Sequence, residues 1–277
     1  MLVRRCLNHP VTLAVGVIGT GNIGTAHARA LAREVAGAHV SCVYDADEAR
    51  AASLADELGT EVATDPEEVV RRSEAIVIAS PDAFHAEQAQ MCLDLRRPTL
   101  CEKPLAPTIG EASDVVDAEL GAGQRLITLG FMRRFDPGYE ALKAAMPGIG
   151  QPLIVHNVHR NKFAPYGLTS TGTLTNSAIH EFDINRWLLD DEYETVQVIT
   201  GRPAPATPDG EFDPLLVLLT TRGGIIVEIE VFLNSGYGYE VSCQVVGASG
   251  VLDMGDGSFV TRRSEGVRTV DVPELWL

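Results

Sequence analysis

The stretch "GVIGTGNIGTAHARAL", residues 16–31, decides the fold class of this chain. Gly19, Gly21 and Gly24 form the spacing G-x-G-x-x-G between an apolar run at 13–18 and an alanine-rich segment. Glycines at these positions permit a tight turn and let the backbone approach a pyrophosphate, and a helix that begins there offers free N–H groups. The stretch therefore predicts a strand–turn–helix unit that binds a dinucleotide.

An acidic residue follows the glycine loop at the expected distance. Asp45 ends the next apolar run, 21 residues after Gly24. A carboxylate there can accept hydrogen bonds from both ribose hydroxyls and would repel a 2′-phosphate, which favours NAD over NADP. The structural alternative is that Asp45 caps the helix beginning near Ala46, and the two roles are compatible.

The first half of the chain alternates short apolar runs with alanine-rich segments. Apolarity without alternation is typical of parallel strands covered on both faces, and this order predicts a doubly wound parallel sheet, a Rossmann domain over 1–131. The predicted strands are 13–18, 38–44, 75–80, 99–102 and 126–131. The predicted helices are 22–36, 47–58, 84–95 and 109–120.

The pattern changes after residue 131. A helix is predicted over 136–146, a strand over 152–160, and a second helix over 175–189, "TNSAIHEFDINRWLL", with His180 facing inward. From residue 195 strands dominate, and turn signals such as "TRGG" separate them. These elements predict an α+β domain over 132–277 with a large, mainly antiparallel open sheet, so the chain as a whole is of the α/β class.

Composition narrows the function classes. The net charge of -16 repels phosphate backbones, so nucleic acid is not an expected partner. No apolar run reaches the roughly 18 residues of a membrane span. The start of the chain, residues 1–19, has a basic and then apolar pattern similar to a signal peptide, but its apolar part leads directly into the glycine loop that the fold requires. The cysteines lack a CxxC pair, which favours reduced, buried thiols in the cytoplasm over a disulfide framework or a metal site. They are Cys6, Cys42, Cys92, Cys101 and Cys243.

A lysine stands where ligands bind in open α/β sheets. The segment "TLCEKPLAPT" places Glu102, Lys103 and Pro104 at the carboxyl end of a strand. Lys103 could hydrogen-bond a substrate hydroxyl and relay its proton, with its pKa lowered by burial and raised by Glu102. The structural alternative is a solvated lysine at a strand end. Pro104 indicates a fixed loop geometry, with a cis bond as one possibility.

These motifs together resemble those of a known family. The segments "GTGNIG", "SPDAFH" and "CEKPL" resemble the Gfo/Idh/MocA oxidoreductases, and "GFMRRFDPGY", "HRN", "SAIHEFDINRWLL" and "YGYEVSCQVVGASG" are similar to their inositol 2-dehydrogenase branch. The resemblance runs from about residue 12 to the end of the chain. It implies an NAD-dependent dehydrogenase of a cyclitol such as myo-inositol, assembled as a homotetramer through the open sheet face. The alternatives are a dehydrogenase of another sugar or aminocyclitol, and a nucleotide-binding paralogue with weakened or lost catalysis.

The resemblance also implies roles for individual residues. Lys103 is expected to be catalytic, and His180 is expected to be the acid/base for the substrate hydroxyl, with Asn176 beside it. The expected cofactor contacts are Gly19, Gly21, Asn22, Ile23, Gly24, Asp45, Ser80, Pro81, His85, Glu102 and Lys103. The expected polyol contacts are Lys103, Met132, Arg133, His159, Asn161, Asn176, His180 and either Tyr237 or Tyr239.

Two features depart from the family pattern. The family usually has an aspartate four residues before the histidine, where this chain has Asn176. An amide keeps the hydrogen-bond geometry but loses the charge that favours an imidazolium, so either the substrate differs, the proton relay is weaker, or the chain is a degenerate relative. Family members also usually continue some tens of residues past a segment like "VDVPELWL", so this chain is expected to end early relative to them.

Overall fold

The computed structural model describes residues 12–164, 167–255, 260–264 and 267–271, the last two ranges by their backbone alone. The chain divides into two compact units, Met1–Gly130 and Phe131–Leu277.

The first unit contains a parallel sheet. Its strands follow the order β3-β2-β1-β4-β5-β6, and every pair between neighbours is parallel. The strands are β1 Leu13–Ile18, β2 Ala38–Tyr44, β3 Glu61–Val62, β4 Ala75–Ile78, β5 Thr99–Cys101 and β6 Ile127–Leu129. This order, with β1 at the centre and the chain continuing outward on both sides, confirms the predicted doubly wound sheet.

Helices cover both faces of this sheet. They are α1 Asn22–Arg33, α2 Glu48–Leu58, α3 Pro66–Arg72, α4 His85–Asp94 and α5 Ile109–Ala122. One core packs α1 and α2 against β1 and β2 through residues such as Val17 and Ala28. A second core packs α3, α4 and α5 against the other face through residues such as Ile78 and Cys92. Both faces are therefore apolar, as the continuous apolar strands require.

The sequence patterns missed two short elements of this unit. The strand β3 has only two residues, and α3 has seven. The side chain of Asp65 caps α3 by accepting a hydrogen bond from the amide of Glu68 at 2.7 Å, and Pro66 occupies the first turn. This Asp-Pro start is a helix signal in the sequence, but the run behind it is too short and too charged to stand out.

The second unit contains a larger sheet of mixed direction. Among the described strands the order is β14-β13-β12-β11-β7-β10-β9-β8, and β10 pairs with β7 in parallel while the other pairs are antiparallel. The strands are β7 Pro152–Arg160, β8 Tyr193–Thr200, β9 Leu215–Thr221, β10 Ile226–Phe232, β11 Glu240–Gly247, β12 Val251–Met254, β13 Val260–Ser264 and β14 Val267–Asp271. The prediction of a large, mainly antiparallel sheet is confirmed.

Helices lie on one face of this second sheet. The helices of the unit are α6 Pro137–Ala145, α7 Ser170–Gly172 and α8 Ile179–Leu189, and α6 and α8 form this layer. Buried side chains alternate along β7, β9 and β10, and they pack with Leu142, Ile184 and Leu188 of the helices in one core. His159 lies on the buried face of β7 and His180 on the buried side of α8, so both point toward this helix–sheet layer.

The helix predicted over 175–189 is not a regular α-helix throughout. Residues Thr173–Ala178 form a π-helical segment, and the α-helix begins only at Ile179. The hydroxyl of Thr173 donates to the carbonyl of Thr169 at 3.1 Å, and that of Thr175 donates to the carbonyl of Thr171 at 3.1 Å. Such back-bonding competes for the carbonyls of the helix and distorts it, and π-segments often occur at functional sites.

Cys42, Cys92, Cys101 and Cys243 are buried, as predicted, and Cys6 lies outside the described residues. Burial raises the pKa of the Cys92 thiol to about 11 and that of Cys101 to about 12, so both are protonated and unreactive at neutral pH. Among the described residues no helix has the length and apolarity needed to cross a membrane.

Candidate active site

The three glycines of the loop are not equivalent in the structure. Gly19 has a φ of 91°, and a Cβ there would lie 2.5 Å from the amide of Ser80. At Gly24 a Cβ would lie 1.9 Å from the carbonyl oxygen of Gly19. At Gly21, in contrast, a Cβ would meet no protein atom within 4 Å. Packing within the unit therefore explains the first and third glycines, and it does not explain the second.

The open space at Gly21 fits a dinucleotide. Gly21 is the N-cap of α1 and has no side chain that could cap this helix end. Asn22 and Ile23 form the exposed first turn, so their backbone N–H groups and the positive end of the helix dipole face outward. A pyrophosphate can approach where a Cβ would intrude, so the loop suits the NAD that its sequence predicts.

The structure separates Asp45 from the capping role considered for it. The N-cap of α2 is Asp47, whose side chain accepts from the amide of Arg50 at 3.1 Å. Asp45 instead accepts from the backbone amide of Thr20 at 2.7 Å and from the Asp47 amide at 2.9 Å. Burial raises the pKa of Asp45, but these backbone hydrogen bonds outweigh it, so the pKa lies below its usual value. The group is therefore an ionised acceptor beside the glycine loop.

Lys103 stands after β5, and the bond to Pro104 is cis, the possibility that the sequence raised. Burial lowers the pKa of the Lys103 ammonium, while Glu102 and Asp82 raise it, and the net change is downward. Oε1 of Glu102 lies 2.8 Å from Nε2 of His27. A lysine with a lowered pKa exchanges its proton more readily near neutral pH.

The motif "SPDAFH" forms the loop that follows β4 and leads into α4. His85 is only 1% exposed, and its Nδ1 lies 2.7 Å from the carbonyl oxygen of Pro104. Its Nε2 lies 2.8 Å from the carbonyl oxygen of Ser80, and Pro81 follows on the exposed side of the loop. His85 therefore ties the loop after β4 to the loop after β5 and supports both from beneath.

In the second unit, His180 is 7% exposed in the first turn of α8. The ring of Phe131 lies edge-on to its imidazole, with centroids 6.4 Å apart and an interplanar angle of 89°. The inward orientation predicted from the sequence is confirmed. An imidazole held in this way has a fixed direction, which a proton acceptor requires.

Three further side chains form a buried polar cluster beside His180. The guanidinium of Arg133 donates from Nη1 to Oε1 of Glu181, and Nδ1 of His159 lies 3.1 Å from Oε2 of the same carboxylate. Arg133 and His159 are about 5% exposed, and Glu181 is fully buried. The ring of Tyr139 lies under the guanidinium, 6.0 Å from its Cζ to the ring centroid. The structure thus brings together Arg133 and His159, which were expected substrate contacts, through Glu181, which the sequence did not indicate.

The remaining candidate substrate residues differ in their exposure. The ring of Tyr239 lies 6.4 Å from that of His159, whereas Tyr237 packs 6.3 Å from Phe232. Within the described part of the chain, the buried Oδ1 of Asn161 accepts no hydrogen bond. Met132 is half exposed at the start of a short 3-10 turn. Of the two tyrosines, Tyr239 is therefore the one that lies close to His159.

Asn176 occupies an unexpected environment. It is exposed and lies within the π-helical segment that precedes α8. The expectation that Asn176 stands beside His180 assumed a regular α-helix, in which residues four apart are neighbours. Residues Thr173–Ala178 are π-helical instead, so that assumption is wrong at position 176.

Sequence reasoning missed Glu181, Asn157 and Asn185. Asn157 donates to the side chain of Asn185 at 3.4 Å, and Asn185 donates to the carbonyl of Glu181 at 2.8 Å. Two signals could have identified them. Asn157 stands two residues before His159 on the same face of β7, and Glu181 directly follows the candidate base. Alone, each would be interpreted as a solvated polar residue.

Comparisons with known proteins agree with this geometry. Residues 13–131 match the GFO/IDH/MocA family described as "Oxidoreductase family, NAD-binding Rossmann fold", and residues 147–253 match the "GFO/IDH/MocA C-terminal domain". Inositol 2-dehydrogenase 1 of Saccharopolyspora erythraea is 41% identical over 95% of this chain and 80% of its own length. Inositol 2-dehydrogenase 2 of Paenarthrobacter aurescens is 42% identical over 95% of this chain and 82% of its own.

A solved structure is also similar. The crystal structure of myo-inositol dehydrogenase from Lactobacillus casei, in complex with NAD(H) and myo-inositol, superposes with a TM-score of 0.85 and 34% identity. The match covers 96% of this chain and 80% of that one. Sequence motifs, sheet order and these relatives agree, and the chain belongs to the Gfo/Idh/MocA family of oxidoreductases.

Proposed function

We propose that this protein is an NAD-dependent dehydrogenase that acts on a CH–OH group of a cyclitol such as myo-inositol. The observation that carries the proposal is the buried set of histidines on the helix–sheet layer of the second unit, His159 and His180. A cyclitol is a ring of hydroxyls, and its binding requires several converging donors and acceptors in a largely buried setting. The inositol dehydrogenases among the relatives support this substrate class.

The first unit holds the cofactor in this proposal. The N-terminus of α1 at Gly21 receives the pyrophosphate, and the ionised carboxylate of Asp45 accepts hydrogen bonds from the ribose hydroxyls. The same carboxylate repels a 2′-phosphate, so NAD is preferred over NADP. Ser80 and Pro81 border the site, while His85 acts by holding the two loops together.

Lys103 and His180 handle the proton of the reacting hydroxyl. NAD held by the glycine loop would supply the hydride-accepting chemistry of the redox step. Lys103, with its lowered pKa, hydrogen-bonds the hydroxyl and relays its proton. His180, fixed by Phe131, acts as the base in the direction of oxidation.

The other hydroxyls of the ring are bound by the second unit. His159 and the buried Oδ1 of Asn161 offer acceptors, and Tyr239 offers a hydroxyl close to His159. Met132 supplies apolar contact, and Arg133 acts from its buried position behind His159. We prefer Tyr239 to Tyr237 because Tyr237 packs against Phe232.

A second candidate function rests on Asn176. An exposed amide in the π-segment provides no charge near His180, so a different sugar or an aminocyclitol could be the preferred substrate. If no polyol is turned over, the protein is a nucleotide-binding paralogue that has lost catalysis.

The assembly and the compartment are also part of the proposal. The face of the second sheet opposite its helices carries ion pairs such as Arg160 with Glu230 at 2.6 Å, and we propose that a homotetramer forms through this face. Sedimentation velocity tests it, with a monomer as the contrary result. The free, buried cysteines suit the reducing cytoplasm.

The test of the function is a direct assay. The purified protein is mixed with NAD or NADP and a panel of cyclitols, sugars and aminocyclitols, and the absorbance of reduced cofactor is followed. Turnover of a cyclitol with NAD is the expected result. Turnover of another sugar alone would favour the second candidate, and binding of NAD without turnover of any compound would favour the paralogue.

A further inference from the structure

Glu181 carries a buried negative charge with two partners of different kinds. Its Oε1 accepts from Nη1 of Arg133, and its Oε2 lies 3.1 Å from Nδ1 of His159. A fully buried carboxylate is tolerated only when it is paired and hydrogen-bonded. Each carboxylate oxygen of Glu181 contacts a different side chain. One partner, Arg133, is always charged, and the other, His159, can carry its proton on either ring nitrogen.

The contacts of His159 select one tautomer. A carboxylate can only accept a hydrogen bond, so the 3.1 Å contact requires the proton on Nδ1. Nη2 of Arg133 lies farther from the same nitrogen, at 3.4 Å, and Arg133 already donates to Glu181. The charged acceptor makes the stronger bond, so Nδ1 is the donor and Nε2 keeps its lone pair.

We propose that Glu181 is a positioning residue that holds His159 in the Nδ1–H tautomer, so that Nε2 accepts a hydrogen bond from a substrate hydroxyl. The tautomer follows from the contacts within the second unit, whereas its consequence for a polyol rests on the proposed function. The centroid of the Tyr239 ring lies 6.4 Å from that of His159, so the imidazole has both the carboxylate and the tyrosine as neighbours.

Arg133 explains why a carboxylate rather than an amide is needed at position 181. In the variant Glu181→Gln one carbonyl oxygen remains, and Arg133 and His159 compete for it. The charged guanidinium wins, which turns the amide NH₂ toward His159 and forces Nδ1 to accept. The proton then moves to Nε2, and the group offered to substrate changes from an acceptor to a donor. Without Arg133 the same glutamine would accept from His159 and restore the original tautomer.

The tautomer is measured directly by NMR on protein labelled with ¹⁵N-histidine. Long-range ¹⁵N–¹H spectra tell a protonated ring nitrogen from one with a lone pair, and the spectrum of His159→Gln assigns the resonance among the seven histidines. We expect the proton on Nδ1 in the wild type, on Nε2 in Glu181→Gln, and again on Nδ1 in the double variant Arg133→Met/Glu181→Gln. A wild-type proton on Nε2, or on both nitrogens, would overturn the proposal.

Kinetics then test the consequence for substrate. Glu181→Gln should raise the KM for the polyol about tenfold, the effect of one hydrogen bond, with a smaller change in kcat and none in the KM for NAD. In the Arg133→Met background the same substitution should change the polyol KM less than about twofold, because the tautomer is restored. Glu181→Asp keeps the charge and should keep the wild-type tautomer. A purely structural role would lower kcat through loss of folded enzyme and leave KM unchanged.

The chain offers a matched control on the same strand. Nδ1 of His156 lies 2.6 Å from Oε2 of Glu228, but these side chains are 44% and 38% exposed. Water can replace Glu228, so Glu228→Gln should leave the polyol KM and the His159 resonances unchanged. If Glu181→Gln does not fold, the wild-type and double-variant spectra still decide. If the wild type and the variants show the expected tautomers of His159 but no polyol is turned over, the proposed function fails and the positioning role of Glu181 stands.

Discussion

The carboxylate of Asp45 accepts two hydrogen bonds from Thr20, one from the backbone amide at 2.7 Å and one from the hydroxyl at 3.0 Å. This pair ties the end of β2 to the residue that separates Gly19 from Gly21. The acid thus has a fixed place beside the glycine loop, and the guanidinium of Arg50 lies 3.7 Å from its Oδ2.

That arrangement predicts the cofactor preference. Asp45→Ser removes the charge that repels a 2′-phosphate and exposes Arg50 as a partner for it. We expect the ratio of NAD to NADP affinity to fall about tenfold to a hundredfold, since hydrogen bonds to charged groups contribute about 1.5–3 kcal/mol each. Calorimetry with both cofactors measures it. Asp47→Ser, which keeps a capping side chain on α2, is the control, and Asp45→Ser/Arg50→Ala should bind neither cofactor tightly. Equal affinities of the wild type for NAD and NADP would contradict the prediction.

The glycines of the loop predict two different phenotypes. Gly21→Ala should fold with nearly wild-type stability, because its Cβ meets no protein atom within 4 Å, and should lose most of its NAD affinity. Gly24→Ala should be destabilised by about 1–3 kcal/mol or more, because its Cβ would lie 1.9 Å from the Gly19 carbonyl. Urea unfolding and NAD titration of both variants test this contrast. Undiminished NAD binding by Gly21→Ala would show that the pyrophosphate does not approach there.

Lys103→Met separates catalysis from stability. Turnover should fall about 10²–10⁴-fold while NAD still binds, because the ammonium acts on the reacting hydroxyl. Burial holds the pKa of Lys103 below 10.5, so between the folded and unfolded pKa values the unfolded chain binds more protons, and stability rises with pH through that window. At pH values below that window, Lys103 is charged in both states, and its buried charge destabilises the fold.

The melting temperature of Lys103→Met near neutral pH should therefore equal or exceed that of the wild type, and the difference should shrink as pH rises toward 10.5. Arg125→Met, at an exposed position of the same unit, is the control for loss of a positive charge. A variant with near wild-type turnover would return Lys103 to the role of a solvated strand-end charge.

Asn176→Asp tests the departure from the family pattern. If the π-segment leaves position 176 within reach of His180, a carboxylate there would stabilise the imidazolium formed during oxidation, and about 1.4 kcal/mol corresponds to one pKa unit or to tenfold in rate. We expect activity on myo-inositol to rise about tenfold or more. Thr171→Asp, at an exposed position just before the π-segment, is the control for charge alone. A simultaneous fall in the rate on another polyol would identify that compound as the substrate to which Asn176 is tuned, and unchanged rates on every compound would exclude residue 176 from the relay.

The first unit was largely predictable because its signals are local. Gly19, Gly21 and Gly24 lie within one turn, and continuous apolar runs identify buried parallel strands at any position in the chain. The inward side of α8 was also readable, since His180 shares its face with apolar residues at helical spacing. The π-segment was not readable, because it depends on the competition between threonine hydroxyls and backbone amides for the same carbonyls.

The cluster around Glu181 depends on contacts between distant segments. Arg133 is 48 residues before Glu181, and His159 is 22 residues before it on a strand that pairs in parallel with β10. A glutamate after a histidine on a helix is solvated in most sequences, and its place directly after the candidate base is too weak a local signal to set this one apart. Glu181 is buried because α8 packs on β7 and on the 3-10 turn that carries Arg133. Short-range hydrogen bonding determines the helices and turns, and the sequence shows it. Strand pairing, register and desolvation depend on the packing of the whole unit, and only the tertiary structure shows them.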